Sequence, residues 1–353
     1  MSSRTLPRRL AALSLSALLA GSTVVGAGGG ATVSASAPAA RGAAKHLTIA
    51  FMRPAPDPYY QDGELGAKQA ALLLNATIDS YYSNASQPTE LANVQDAISR
   101  RVDGILMYSI SFSAEKSEVA AANKAHIPIF LLYGYDKSLI NKVAGFEQVN
   151  LIKYGMGVGD WLAGHVTSGN VAVITGRLGR GDAEAYQEGF HEGLTLRHSK
   201  LRIVASVSGD WLRQPAYNAA QDLITAHPDL KAMYVENEDM AIGAINALQR
   251  AGKLKQVTIV SSNGAPYGLV AIRAGQLAAS NTCSPALEGV MAMRILTGVI
   301  RGTHQPGHLY YSITRFVTKA NVGDAYPWVP TMSDTKRFMA LPLLSPVLDS
   351  QLP

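Results

Sequence analysis

Cysteine is nearly absent: Cys283 is the single one in 353 residues. No intrachain disulfide can form, so stability must come from packing. The signatures of common chemistry are missing as well. Gly176-Arg-Leu-Gly-Arg-Gly has neither the Gly-Lys-Ser/Thr ending of a phosphate-binding loop nor the spacing of a dinucleotide fingerprint, and reads as a strand-to-helix turn. His191-Glu192 lacks a second histidine four residues on, which excludes the common zinc-protease pattern. His165, His191 and His198 are therefore expected to be solvated or structural. No Gly-x-Ser-x-Gly elbow is present. No catalytic residue, metal or cofactor is expected.

Acidic residues are missing from the start of the chain, the first being Asp57, while Arg4, Arg8 and Arg9 stand in the first ten positions. Setting these three aside leaves 28 basic against 26 acidic residues, too even a balance for a nucleic-acid binder. The basic start is followed by an apolar stretch, Leu10 to Ala20, which falls short of the ~20 residues needed to span a bilayer. Small residues follow, as at a cleavage site. Residues 1–44 are thus expected to be an export signal and a disordered lead-in. That segment has no cysteine to lipidate, and the expected location is the periplasm.

What the chain has is alternation. The length suits two domains, and 47% hydrophobic with 16% charged residues is a globular composition. Apolar runs at 47–52, 77–82, 104–108 and 128–132 alternate with helical patterns at 60–74, 88–100 and 115–125. Continuous apolar strands belong to parallel sheets covered on both faces. The pattern then restarts. Helices are expected at 151–167, 183–197, 216–226 and 240–251, with strands at 170–175, 201–207, 232–235 and 257–261. The fold class expected is α/β, with two doubly wound parallel-sheet lobes. Their strand carboxyl ends would bracket one shared cleft.

The expected strand ends and turns carry Tyr59, Tyr60, Tyr133, Tyr135 and Trp211, beside Asp57, Glu184, Asn237 and Asn263. Aromatic faces stack on the C–H face of a sugar ring, and planar carboxylates and amides bond its hydroxyls in pairs. A small polar ligand, sugar or sugar-like, is the reading these residue types favour.

From about Leu47 to Lys319 the sequence resembles bacterial periplasmic sugar-binding proteins of the ribose-binding type, members of the type I periplasmic binding proteins. The resemblance rests on an ordered set of segments: Asp57-Pro-Tyr-Tyr, Glu90-Leu-Ala-Asn-Val-Gln-Asp, Arg101-Val-Asp-Gly-Ile-Leu, His126-Ile-Pro-Ile, Thr225-Ala-His-Pro-Asp-Leu and Asn237-Glu-Asp-Met-Ala-Ile-Gly-Ala. It implies two lobes joined by three crossings, near 149–150, 283–284 and 312–313. The first lobe would comprise 45–149 plus 284–312, and the second 150–283 plus 313–353 with its Pro-containing tail. It also implies capture of a monosaccharide by hinge closure and delivery to an ABC transporter permease. A sensor presenting its ligand to a membrane receptor uses the same clamp and stays open as an alternative. Transcription regulators of related fold would begin with a DNA-binding module rather than an export signal.

By the same resemblance the ligand-binding positions are Asp57, Tyr59, Tyr60, Tyr133, Gly134, Glu184, Trp211, Asn237, Asn263 and Cys283. Several depart from the family pattern. Tyr133-Gly134 stands where Asp-Arg is usual, Glu184 where a second arginine is, Asn263 where an aspartate is, and Cys283 where a hinge glutamine is. Asp57 and Glu184 without an aligned arginine would favour a donor-rich ligand such as a polyol, an amino sugar or another cationic molecule, unless Arg177 or Arg180 enters the pocket.

Overall fold

The computed structural model describes residues 45–179 and 181–348. The expected export signal and lead-in, and Arg180, lie outside the described residues. In chain order the elements are β1 (Leu47–Arg53), α1 (Pro58–Leu73), β2 (Ala76–Tyr82), α2 (Gln87–Ser99), β3 (Gly104–Tyr108), α3 (Phe112–Lys124), β4 (Ile129–Leu132), β5 (Gly145–Gln148), α4 (Leu151–His165), β6 (Ser168–Thr175), α5 (Asp182–Leu196) and β7 (Lys200–Ser208). They continue with α6 (Arg213–Ala226), β8 (Leu230–Val235), α7 (Glu238–Arg250), β9 (Thr258–Asn263), α8 (Pro266–Ala274), β10 (Ala279–Thr282), α9 (Pro285–Ile300), β11 (Leu309–Tyr311), β12 (Arg315–Thr318) and α10 (Met332–Ala340).

Among the described residues the strands form two six-stranded sheets, ordered β11-β5-β4-β3-β1-β2 and β12-β10-β9-β8-β6-β7. Every pairing is parallel except β12 on β10. This is the doubly wound α/β architecture the alternation predicts. Its cause is visible along β1 and β3. Ile49, Phe51, Leu106 and Tyr108 face α1 and α9, whereas Ala50, Met52, Ile105 and Met107 face α2 and α3. Successive side chains of a strand point to opposite faces, so a sheet sandwiched between helix layers needs apolar residues at every position. The second sheet repeats the arrangement. Ile174, Met233 and Val235 pack under α6 and α7, and Val171, Val173 and Tyr234 under α4 and α5.

The chain passes from the first sheet to the second between β5 and α4, back between β10 and α9, and over again between β11 and β12. Caps start the helices that follow these passages: Asn150 Oδ1 accepts from Lys153 N at 3.0 Å, and Ser284 Oγ from Leu287 N at 3.2 Å.

The tail departs from expectation. Residues 313–353 were expected with the second lobe, but only the start of that stretch lies there. Val322 and Ala325 pack in the second-sheet core. Beyond them the chain returns to the first lobe, where α10 packs on α1 and α9. The reason is the fully buried Phe338 in the first-lobe core, fixed by Arg294 Nη1 donating to Leu341 O at 2.9 Å and by Gln69 Nε2 donating to Pro330 O at 3.0 Å. Pro346 then bridges to Tyr310 of β11. The chain therefore crosses between the lobes four times rather than the three the resemblance implies.

Candidate functional site

The carboxyl ends of both sheets meet at one place. β1 leads into Asp57, β4 into Tyr133, β7 into Trp211, β8 into Asn237, β9 ends on Asn263, and β10 leads into Cys283. Tyr133, Asp210, Trp211 and Asn263 hold left-handed backbone, with φ of 54°, 55°, 65° and 97°. Such conformations cost of the order of 1–3 kcal/mol each in non-glycine residues and collect at binding sites.

Cys283 is the centre. Its Sγ lies 3.6 Å from Tyr59 Oη and 3.6 Å from Tyr133 Oη. The Tyr59 and Tyr133 rings meet edge to face at 5.5 Å. From the second lobe come Tyr154 and Tyr186, with centroids 5.3 Å apart, and Trp211 edge-on to Tyr186 at 6.4 Å. Val149, Tyr154, Tyr186 and Cys283 form a buried cluster against which Tyr59, Tyr133 and Trp211 pack. Tyr60 lies on the first-lobe side, 5.0 Å from Tyr108. The structure thus brings together Tyr59, Tyr60, Tyr133, Trp211 and Cys283. It adds Tyr154 and Tyr186, which sequence reading leaves as helix-face residues. Tyr135, by contrast, packs away from the cluster, edge-on to Phe146.

Hydrogen bonds hold the rings in place. Tyr59 Oη donates to Glu288 Oε2 at 2.6 Å. Asn237 caps α7 by accepting from Met240 N at 2.8 Å, and its amide donates to Trp211 O at 3.2 Å. Asn237 thereby positions the Trp211 backbone. Asn263 N–H donates to Tyr154 Oη at 3.1 Å. Asp57 caps α1, accepting from Tyr59 N at 2.8 Å.

Two expected positions do not work as foreseen. Glu184 is exposed, and its carboxylate accepts from Gly179 N at 2.6 Å and Gly181 N at 3.1 Å. Against the upward pull of partial burial, these N–H groups hold its carboxyl below the usual value. Its charge serves the turn at the start of α5 and stays out of the aromatic cluster. Gly134 supplies no side chain, and a Cβ there would collide with the Glu115 carboxylate. Arg177 does not enter either, since its guanidinium grips Asp210 at 2.6 and 3.0 Å on the cleft lip.

The charge facing the cleft is acidic. Burial raises the Asp57 carboxyl, its bond from Tyr59 N opposes this, and Asp239 of the opposite lobe raises it further. Asp239 is itself held by Arg213 at 2.7 Å. Beneath the rings, burial pushes Glu288 up to about 8 against the pull of its Tyr59 bond, and Glu147 well above its usual range. The Cys283 thiol is likewise raised by burial, so it stays protonated at neutral pH. Among the described residues no group of three or more His, Cys, Asp or Glu is placed to hold a metal ion.

Removing the Tyr59 hydroxyl leaves Glu288 Oε2 buried without that donor. Tyr59→Phe is expected to lower stability by about 1–3 kcal/mol in urea unfolding. An unchanged midpoint would show that the bond contributes nothing.

Comparison with known proteins agrees with this architecture. The ribose import binding protein RbsB of Salmonella typhimurium is 31% identical over 249 residues, covering 70% of this chain and 82% of that protein. The D-allose-binding periplasmic protein of Escherichia coli is 26% identical over 249 residues, covering 68% and 80%. The crystal structure of an ABC transporter periplasmic solute binding protein from Actinobacillus succinogenes 130z with bound D-allose shares the fold. Its TM-score is 0.74 at 22% identity, covering 79% of this chain and all of that one. A family model described as a periplasmic binding protein domain matches residues 49–304, and the chain belongs to that family.

Proposed function

We propose that this protein is an extracytoplasmic solute-binding protein. It captures a monosaccharide or sugar-like polar ligand between its two sheets and delivers it to an ABC transporter permease. The observation that carries this reading is the convergence of aromatic rings from both lobes on Cys283, at the carboxyl ends of both sheets. Rings on two bodies that can part and close make a clamp for the C–H faces of a sugar, and the capped strand ends offer amide and carboxyl partners for its hydroxyls. The relatives named for ribose and allose support that ligand class. Residues 1–44 act as the export signal and place the protein in the periplasm.

A second reading, for an amine-bearing polyol, draws on Asp57 facing Asp239 across the cleft. It no longer draws on Glu184.

A thermal-shift screen with D-ribose, D-allose, xylitol and glucosamine tests both. A ligand at 100 times its Kd adds about 2.7 kcal/mol of stability. A shift with a neutral sugar supports the first reading, and a shift with glucosamine alone supports the second. No shift with any of them would overturn both. For whichever compound binds, Trp211→Ala is expected to weaken affinity about 10–100-fold by calorimetry, through loss of the stacking ring. Affinity within twofold of wild type would remove Trp211 from the site.

A further inference from the structure

The tail that crosses back to the first lobe carries a tryptophan into the site. Trp328 is 4% exposed. Its Nε1–H donates to Cys283 O at 2.9 Å and Asn263 O at 3.2 Å. Its ring stands edge-on to Tyr59, with centroids 5.2 Å apart and planes at 90°. The neighbouring Pro327 O accepts from Ser284 Oγ at 2.7 Å, on the second passage between lobes. These contacts reach both lobes and the connection between them: Asn263 ends β9 of the second sheet, Tyr59 lies in α1 of the first lobe, and Cys283 stands in the passage from β10 to α9.

The segment is anchored at both ends. On the second lobe, Asn321 Oδ1 accepts from Thr318 N at 2.8 Å and its amide donates to Phe316 O at 3.0 Å. On the first lobe, Thr335 Oγ1 donates to Gln69 Oε1 at 2.5 Å and Phe338 is fully buried. A strap fixed at both ends shares in any rotation of one lobe against the other. Because Trp328 touches Tyr59 on the first lobe and Asn263 on the second, any motion that separates those two residues breaks one of its contacts.

We propose that Trp328, carried on this fourth crossing, is a latch and back wall of the ligand site. It ties Tyr59, Asn263 and Cys283 into the arrangement that receives the ligand and holds the lobes closed. The site therefore includes a residue of the tail, beyond the residues 49–304 that the family model matches. Apparent affinity scales with the fraction of molecules in the binding-competent form, so the latch sets affinity as well as shape. The role in affinity rests on the solute-binding reading, whereas the latch itself does not.

Spin labels on Gln95→Cys of α2 and Gln221→Cys of α6, both exposed, report the separation of the lobes in the full-length protein without ligand. Wild type is expected to give mainly the closed distance. Trp328→Phe keeps a ring and loses the N–H donor. It is expected to raise the open-to-closed ratio about fivefold, as one lost net hydrogen bond would. Leu248→Ala, in the second-lobe core, lowers stability without touching the strap and should leave the distances unchanged. If Trp328→Phe does not fold, a protease site inserted at the exposed Gly323 cuts the strap after folding, with the same expected shift. A wild type already open, or distances unmoved by both the substitution and the cut, would overturn the latch. D-ribose, D-allose and glucosamine in a parallel titration test the solute-binding reading separately, because the ligand-free distances stand without it.

Discussion

Gly189→Ala is expected to destabilise the protein by about 3 kcal/mol, or roughly 6–10 °C in Tm. Alanine normally gains about 0.5–1 kcal/mol over glycine inside a helix, so the sign itself is diagnostic. α4 and α5 lie backbone to backbone through Gly155, Gly159, Gly189 and Gly193. A methyl on Gly189 would overlap the carbonyl of Ile152, and one on Gly193 the carbonyl of Met156. Backbone atoms cannot rotate aside as a side chain can, so the helices must separate. α4 carries Tyr154 and α5 carries Tyr186, so the displacement reaches the aromatic cluster around Cys283. Gly164, also in α4, is the internal control. A Cβ there meets only Arg197 side-chain atoms at 3.7 Å or more, and Gly164→Ala is expected to stabilise by a few tenths to 1 kcal/mol. Calorimetric melting of both variants decides the matter, and equal melting points would refute the close approach as a constraint.

The second large effect is a dependence on pH. Glu90 and Glu118 are both fully buried between α2 and α3. Glu90 accepts from Ile110 N at 3.1 Å, from Ser109 Oγ at 3.2 Å and from Ser83 Oγ at 3.4 Å. Burial first, and the neighbouring Glu90 second, push Glu118 up to about 9. Glu118 therefore keeps its proton and shares it with Glu90. A carboxyl raised on folding contributes stability fully present below its unfolded pKa, near 4.5, and lost as pH rises through the folded value. Glu238, raised by burial to about 7, and Glu288, at about 8, act in the same direction. Exposed carboxylates such as Asp160 and Asp210, lowered by bonds from Arg197 and Arg177, oppose this only in acid. Stability is expected to peak between about pH 4.5 and 6 and decline toward pH 9. Glu118→Gln offers Glu90 a donor that does not titrate. It is expected to gain on the order of 2–4 kcal/mol over wild type at pH 9, with a much smaller difference at pH 5. Urea unfolding across that range checks it. Parallel curves for the two proteins would mean that Glu118 does not carry the raised carboxyl.

The fold was legible where burial is purely apolar. β1, β3, β4, β6 and β8 read directly, because helices cover both faces and each strand holds four apolar residues in a row. β5 and β10 did not read, because Glu147, Gln148, Asn281 and Thr282 are buried there. Their polar groups find partners only in the folded chain, as when Asn281 Nδ2 donates to Tyr154 O at 3.0 Å. In the aromatic cluster, Tyr59, Tyr133 and Trp211 were recognisable because each follows the end of a strand or starts a helix, whereas Cys283 came only from the family resemblance. Tyr154 and Tyr186 were not, since an aromatic on an amphipathic helix looks like core. Glu184 misled for a local reason. A carboxylate in the first helical turn after a glycine-rich loop completes the helix start before it can serve a ligand. Trp328 lay beyond any resembling segment, and only the return of the tail to α1 and α9 reveals where it goes.

The solitary thiol has a practical consequence. Maleimide and related reagents attack the thiolate, and Cys283 is both sealed among phenols and held protonated. Any cysteine placed on an outer helix becomes the one position a dye can find, with no native residue to strip away. A fluorophore set on either lip of the cleft would turn the unaltered core into an optical gauge of solute concentration.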